Sequence, residues 1–97
     1  MIYLYFRQTV GDYGQWKEGF DSHLPARQVG GATDEALLLH HVDDPHEIIV
    51  LMGWRDLAQA RTFTQSVSWQ MALQKMGVVG LPEVRFLETA YLDKLSR

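Results

Sequence analysis

The chain has 97 residues and a net charge of −3, with nine lysines and arginines and no cysteine. We expect one domain over residues 1–97. The lysines and arginines form no basic patch, which argues against nucleic-acid binding. The lack of cysteine excludes disulfides and thiolate metal ligands. The longest uncharged apolar run, residues 48–54, is too short to cross a membrane, so a cytoplasmic protein is expected.

The first third of the chain predicts a strand, a helix and a loop. Residues 1–9 begin with strand-forming types. Asp12, with Gln15 three residues later, is typical of a helix N-terminus. Pro25 and the glycines at 30–31 predict the end of this helix and the start of a loop. The apolar stripe of the helix consists of Tyr13, Trp16, Phe20 and Leu24.

A hairpin is predicted next, with strands at 36–42 and 47–54 around the turn Asp43-Asp44-Pro45. The residue before a proline prefers extended geometry, and aspartates bond to nearby amides, so this segment has turn chemistry.

A second helix and a last strand complete the pattern. Asp56 and Gln59 predict a second helix cap, and Ser68 is a candidate cap for a further helical segment that ends at Gly77. A last strand is expected over 84–92. The inward positions of these helices are predicted to be Leu57, Ala60, Phe63, Val67, Trp69, Leu73 and Met76.

The element order is β-α-β-β-α-β, which is typical of a ferredoxin-like α+β domain with a four-stranded antiparallel sheet. Right-handed crossovers place both helices on one face of the sheet. The third strand is nevertheless apolar on both faces, since Ile48, Val50 and Met52 alternate with Ile49 and Leu51. Soluble monomers rarely expose an apolar face of this size. We therefore expect a homodimer in which a second copy covers the open sheet face.

This arrangement resembles the dimeric α+β barrel superfamily, in particular its antibiotic-biosynthesis monooxygenase and polyketide-cyclase-like branch. The likeness is carried by DYGQWKEGFDSH (12–23), HVDDPHEIIVLMGWRD (41–56) and ARTFTQS (60–66), followed by a Gly-rich return to the last strand. The resemblance implies a dimeric barrel with a cavity between sheet and helices, lined by the aromatic residue Trp54. Members include cofactor-free oxygenases, cyclases, isomerases and haem-degrading enzymes, so the fold names no reaction.

Two positions depart from the small monooxygenases of that branch. Many of them have a histidine seven residues after the Asp that caps the second helix, where this chain has Phe63. They also often have an asparagine four residues before the aromatic residue that ends the third strand, where this chain has Val50. Both differences weaken the expectation of quinol oxidation, and the lack of a histidine on the second helix argues against haem.

The stretch HHVDDPH at 40–46 raises the question of a metal site. His40 and His41 are neighbours on a strand and point to opposite faces, so they cannot bind the same ion. Metal sites usually have further ligands and an ordered second shell, which this segment does not offer. The sequence predicts a hairpin with solvated imidazoles and no metal site.

Two histidines remain as candidates for proton transfer. His40 shares a strand face with apolar residues, so it is either a satisfied buried histidine or the proton carrier of a pocket. His23 is either a helix C-terminal histidine favoured by the dipole or a catalytic group. The predicted pocket between sheet and helices is lined by catalytic His40 and His23 and by substrate-binding Trp54, Met52, Phe63 and Trp69.

Our leading hypothesis is a monooxygenase or a cyclase or isomerase that uses no metal or organic cofactor. Its substrate would be a small hydrophobic or aromatic molecule, such as a polyketide-like metabolite. The alternative is a non-catalytic dimer that binds a ligand or has only a structural role.

Overall fold

A computed structural model describes residues 1–90, which form a four-stranded antiparallel sheet and four helices. The elements are β1 (Ile2–Val10), α1 (Tyr13–Ser22), α2 (Leu24–Gly30), β2 (Ala32–His41), β3 (Asp44–Trp54), α3 (Leu57–Thr64), α4 (Val67–Lys75) and β4 (Val78–Glu88). The strand order is β2-β3-β1-β4, which is the ferredoxin-like α+β arrangement that the sequence predicts. No helix in this part of the chain is long and apolar enough to span a membrane.

The first predicted helix is in fact a pair of helices. Asp12 caps α1 as expected, and its carboxylate accepts a hydrogen bond from the Gly14 backbone N–H at 2.8 Å. The prediction that Pro25 ends the helical region is wrong, because α2 begins one residue before it. Proline is tolerated in the first turn of a helix, where its missing N–H has no intrahelical partner. α2 ends at Gly30, and the next residue, Gly31, caps it with a φ of 121°, a value that favours glycine.

The second helical segment is also a pair. Asp56 caps α3 as predicted, and its carboxylate accepts from the backbone N–H three residues later at 2.8 Å. α4 is capped by Ser66 rather than by Ser68, since the Ser66 hydroxyl accepts from the Trp69 N–H at 3.1 Å. Val67 was expected to face inward, but it is 69% exposed. Because α3 and α4 are separate helices, the periodicity of α3 does not continue into α4. An apolar stripe extended from α3 therefore does not predict which way Val67 faces.

The predicted hairpin joins β2 to β3, but its turn is tighter than expected. Val42 and Asp43 form the turn, and Pro45 belongs to β3. The pairing of β2 with β3 shifts register between His40 and His41. A proline fits there because an irregular ladder does not need its missing N–H.

Three strands start earlier than predicted. β2 starts at residue 32 instead of 36, β3 at 44 instead of 47, and β4 at 78 instead of 84. β4 contains Gly80 and Pro82 where its pairing with β1 shifts register between Arg7 and Thr9. It ends at Glu88, so residues 89 and 90 of the predicted last strand are not part of it. Residues 91 and 92 of the predicted last strand lie outside the described residues.

Aromatic side chains fill the space between the sheet and the helices. Trp54 is fully buried, and its ring centroid lies 4.8 Å from that of Phe63. The Phe63 ring lies 4.9 Å from the Trp69 ring, which in turn lies 4.8 Å from the Phe6 ring. The layer between sheet and helices is therefore a packed core.

The opposite face of the sheet is covered by no other element of the described chain. Leu37 and Leu39 are 53% and 44% exposed on this face. Register pairs Leu37 with Leu51 and Leu39 with Ile49, so these four side chains share the face. The sheet is thus apolar on both faces, as the sequence predicts, and the homodimer stays a prediction.

Candidate functional site

A cavity of about 460 Å³ opens between α2 and the α3–α4 pair, and we call it the α2–α3 cavity. This volume suits a small organic molecule. No charged side chain lines it, apart from the titratable imidazole of His23. The lining residues are His23, Pro25, Ala26, Val29, Gly30, Gln59, Thr62, Phe63, Ser66 and Ser68.

His23 stands at the junction of α1 and α2 and reaches across to α4. Its Nε2 lies 3.2 Å from the Ser68 hydroxyl oxygen. Its ring centroid is 5.8 Å from the rings of both Phe63 and Trp69. Burial lowers the pKa of His23, and the nearby charge of Arg27 lowers it further. The imidazole is therefore neutral at pH 7.

The two ring nitrogens of His23 differ in their surroundings. Nδ1 is buried and has no hydrogen-bond partner within residues 1–90. A buried N–H without an acceptor is rarer in proteins than an under-satisfied acceptor. We therefore assign the ring proton to Nε2, which donates it to the Ser68 oxygen. In this state the Ser68 hydroxyl hydrogen is free to bind a ligand.

Gln59 supplies an amide at the same cavity. Its side-chain oxygen is buried and lacks a partner among the described residues. A Cβ at Gly31 would collide first with this oxygen, so the oxygen faces the backbone at the end of α2. The Gln59 side chain also lines the α2–α3 cavity. Sequence reasoning treated Gln59 only as a partner of the helix cap and missed this role.

The structure places the predicted site residues in three locations: the α2–α3 cavity, the core between sheet and helices, and an exposed position on β2. Phe63 and His23 line the α2–α3 cavity together. Trp54, Met52 and Trp69 are at most 2% exposed and belong to the core between sheet and helices. The cavity therefore lies between helices and not, as predicted, between sheet and helices. The reason is that the large aromatic side chains fill the inner layer.

His40 lies outside the cavity. It pairs with the buried Ile48, so it does share the helix-facing side of the sheet, as the strand pattern predicts. It is nevertheless exposed, and its Nδ1 lies 3.0 Å from the His41 carbonyl oxygen. Ile48 and Trp54 are six positions apart along β3, which corresponds to about 20 Å. The structure therefore does not bring His40 together with His23.

The other hairpin histidines are engaged in local contacts. His41 Nδ1 accepts from the Asp43 N–H at 3.0 Å, and His46 Nδ1 lies 3.0 Å from the Val10 carbonyl oxygen. Within residues 1–90, no group of three or more histidine or acidic side chains could hold a metal ion.

Arg27 is a buried cation that the sequence did not reveal, because its segment was expected to be a loop. It is 3% exposed, and its guanidinium carbon lies 3.8 Å from the centre of the Phe20 ring. The side chain also donates a hydrogen bond to the Phe20 carbonyl. Burial lowers the pKa of Arg27 to about 10, so it stays charged at pH 7. Arg27 thus links α2 to α1, the two helices that meet at His23.

The lowered pKa of His23 predicts a pH dependence of stability. Its pKa in the folded protein lies below the unfolded value of 6.5, so the unfolded chain binds more protons in the window between the two. Stability conferred by the neutral imidazole is therefore present above this window and lost as the pH falls through it. The free energy of unfolding of the wild type relative to His23→Gln should decrease between neutral pH and about pH 5. Urea titrations at several pH values measure this, and a pH-independent difference would contradict it.

The sequence matches no family model and no curated protein. Solved structures share its fold at low sequence identity, including the three that follow. One is an antibiotic biosynthesis monooxygenase, by its description, from Bordetella bronchiseptica. It has 14% sequence identity and a TM-score of 0.77, and the match covers 93% of this chain and 97% of the Bordetella chain. SnoaB, a cofactor-independent oxygenase from Streptomyces nogalater, has 13% identity and a TM-score of 0.73, over 99% and 97%.

The third structure is Rv0793 from Mycobacterium tuberculosis, with 15% identity and a TM-score of 0.64 over 98% of each chain. Identities this low establish a common architecture and leave the chemistry open. The chain has the fold of the antibiotic biosynthesis monooxygenase structures.

Proposed function

We propose that this chain is a cofactor-independent enzyme that binds an aromatic or polyketide-like molecule in the α2–α3 cavity. The observation that carries the proposal is a neutral imidazole, hydrogen-bonded to a hydroxyl, at the wall of an apolar cavity of about 460 Å³. Apolar walls with a few directed polar groups are typical of small-molecule sites. The shared fold with SnoaB, a cofactor-independent oxygenase, supports the same class of reaction.

The polar groups of the cavity suit a substrate that carries a phenol or enol. The Ser68 hydroxyl, polarised by His23, donates to the substrate oxygen as negative charge develops on it. The Gln59 side-chain amide lies at the same wall and can bond a second polar group of the substrate. An enolate or phenolate is electron-rich enough to react with O₂ directly. One balanced outcome converts a ring CH₂ into C=O, with one oxygen atom of O₂ in the product and the other in water.

The two departures from the monooxygenase pattern have counterparts in this cavity. Phe63, which stands where many members have a histidine, faces the His23 ring at 5.8 Å. The imidazole thus comes from the opposite wall. Val50, which stands where members often have an asparagine, is fully buried, and the amide at the cavity comes from Gln59 instead. We expect the substrate to bind in a different orientation from that in such members.

We further propose that the protein is a homodimer through the open face of the sheet. Leu37, Leu39, Ile49 and Leu51 form an apolar area there, and a second copy would remove it from water. Each protomer would keep its own α2–α3 cavity, because the helices lie on the other side of the sheet.

Replacement of His23 by Gln tests the catalytic proposal. With anthrone and naphthol substrates, oxygen consumption should fall by about 100-fold or more, the range for loss of a hydrogen-bonding or proton-transfer group. The matched control is His40→Gln, which changes an exposed histidine far from the cavity. Equal rates in His23→Gln and the wild type would contradict the proposal. An effect confined to His40→Gln would move the site elsewhere.

A second candidate function, non-catalytic ligand binding, is favoured by one specific observation. The buried Nδ1 of His23 and the nearby charge of Arg27 both oppose formation of an imidazolium. Transfer of a proton to His23 therefore costs free energy. A hydrogen bond from the neutral imidazole does not carry this cost. Binding of naphthol without oxygen consumption or product formation would favour this alternative over catalysis.

A further inference from the structure

A second cavity lies on the other side of the His23–Ser68 pair. It has a volume of about 390 Å³ and lies between α1 and α4, and we call it the α1–α4 cavity. His23 and Ser68 line both cavities, so their single hydrogen bond stands between them. The other lining residues are Gly19, Ser22, Met71, Ala72, Lys75 and Met76.

The two cavities differ in charge. The α2–α3 cavity is mostly apolar and is lined by no lysine, arginine or acid. The α1–α4 cavity contains Lys75, whose ammonium forms no ion pair with the described residues. The lysine on α1, Lys17, is by contrast paired with Asp21 at 2.6 Å. An unpaired cation at one end of an apolar groove suits a ligand with an anionic end.

The floor of the α1–α4 cavity depends on a close approach of two elements. A Cβ at Gly19 would collide with the side chain of Met76, so glycine lets α1 lie directly on this methionine. Met71 and Ala72 extend the apolar surface beside it. The apolar floor of the α1–α4 cavity therefore runs from the His23–Ser68 pair to Lys75. This floor can hold the body of a ligand whose anionic end reaches the ammonium.

We propose that the two cavities form one groove for an elongated amphipathic ligand with an anionic end. The aromatic body fills the α2–α3 cavity, and a carboxylate or sulfonate reaches Lys75 in the α1–α4 cavity. The ligand lies over the His23–Ser68 pair, which keeps its hydrogen bond, and the free hydrogen of the Ser68 hydroxyl donates to the ligand. This inference rests on the proposed function, since it takes the α2–α3 cavity as the binding site.

A matched pair of fluorescent probes tests the inference. 1-Anilinonaphthalene-8-sulfonate carries a sulfonate, and N-phenyl-1-naphthylamine has the same aromatic body without it. Lys75→Met should raise the Kd of the sulfonate about 2- to 5-fold, as expected for an exposed ion pair. The Kd of the neutral probe should change less than about twofold, and Lys75→Arg should keep most of the sulfonate affinity. Lys17→Met is the control and should leave both Kd values unchanged.

Two further variants locate the probes. Ser68→Ala removes the donor hydroxyl and should weaken sulfonate binding about two- to tenfold, the value of one neutral hydrogen bond. Val29→Trp places a large side chain at an 87% exposed position of the α2–α3 cavity and should abolish binding of both probes. Circular dichroism confirms that each variant is folded.

The outcomes separate this inference from the proposed function. If neither probe binds the wild type, or if Val29→Trp binds both normally, the α2–α3 cavity is not the site and both proposals fail. If both probes bind there, but Lys75→Met affects the sulfonate no more than Lys17→Met does, the two-cavity groove is overturned and the proposed function stands. Unchanged sulfonate binding in Ser68→Ala would likewise overturn the donation from Ser68 to the ligand.

Discussion

Leu51→Glu is expected to separate the proposed homodimer into protomers of 11.2 kDa. Leu51 lies on the open face of the sheet, where it is paired with Tyr5 on one side and Leu37 on the other. A second copy on this face would bury the new carboxylate without a partner, which costs several kcal/mol. The dimer Kd should therefore rise by about 1,000-fold or more. Size-exclusion chromatography with light scattering at micromolar concentration measures the change.

The matched control is Val67→Glu. It places the same charge at a 69% exposed position of α4, on the helix layer. A carboxylate is favourable in the first turn of a helix, so this variant should fold and remain dimeric. A wild type that is monomeric at micromolar concentration would refute the dimer. A Leu51→Glu variant that stays dimeric would place the interface elsewhere.

Trp54→Ala is expected to lower the free energy of unfolding by about 3–5 kcal/mol, the usual cost of emptying a buried aromatic position. Trp54 is fully buried and packs against Phe63 with ring centroids 4.8 Å apart. The loss identifies Trp54 as a core residue that supports the cavity from behind. Urea unfolding followed by circular dichroism gives the value. A loss below about 1 kcal/mol, within the range of an ordinary surface substitution, would show that the position is not packed.

A comparison of two tryptophans separates packing from hydrogen bonding. Trp54 Nε1 is buried without a partner among the described residues, whereas Trp16 Nε1 lies 3.4 Å from the Gln8 amide oxygen and donates to it. Trp54→Phe removes an unsatisfied donor, and Trp16→Phe leaves the Gln8 oxygen without its partner. Because an unsatisfied buried group costs about 1–3 kcal/mol, Trp54→Phe should be the milder change by about 1–2 kcal/mol. The reverse order would contradict the assignment of the Trp54 N–H as unpaired.

Features that depend on neighbouring residues, and the fold class that follows from the order of the elements, were predictable from the sequence. Asp12 and Asp56 cap helices because a short carboxylate reaches backbone N–H groups within its own turn. The alternation of Ile48, Val50 and Met52 with Ile49 and Leu51 follows from the two-residue period of a strand, and it predicts a two-faced sheet. The strand order follows from crossover rules that few topologies satisfy.

Local signals failed where two outcomes had similar local energies. Pro25 is compatible with the end of one helix and with the first turn of the next, and only the packing of α2 selects the second. Ser66 and Ser68 are both adequate caps, and the position of Trp69 in the core decides between them. Arg27 is buried because Phe20 and its carbonyl receive the guanidinium, a contact between two helices.

The candidate site shows the same division between sequence and tertiary structure. The face of the sheet on which His40 lies was determined by the sequence alone, because strand parity is a local property. Its exposure was decided by the tertiary structure, since the helices do not cover that end of β2. The identity of Phe63 and His23 as candidate residues came from the pattern, whereas their meeting with Gln59 and Ser68 depends on how two pairs of short helices pack. Cavities form where packed elements fail to fill space, and no local sequence pattern encodes that shape.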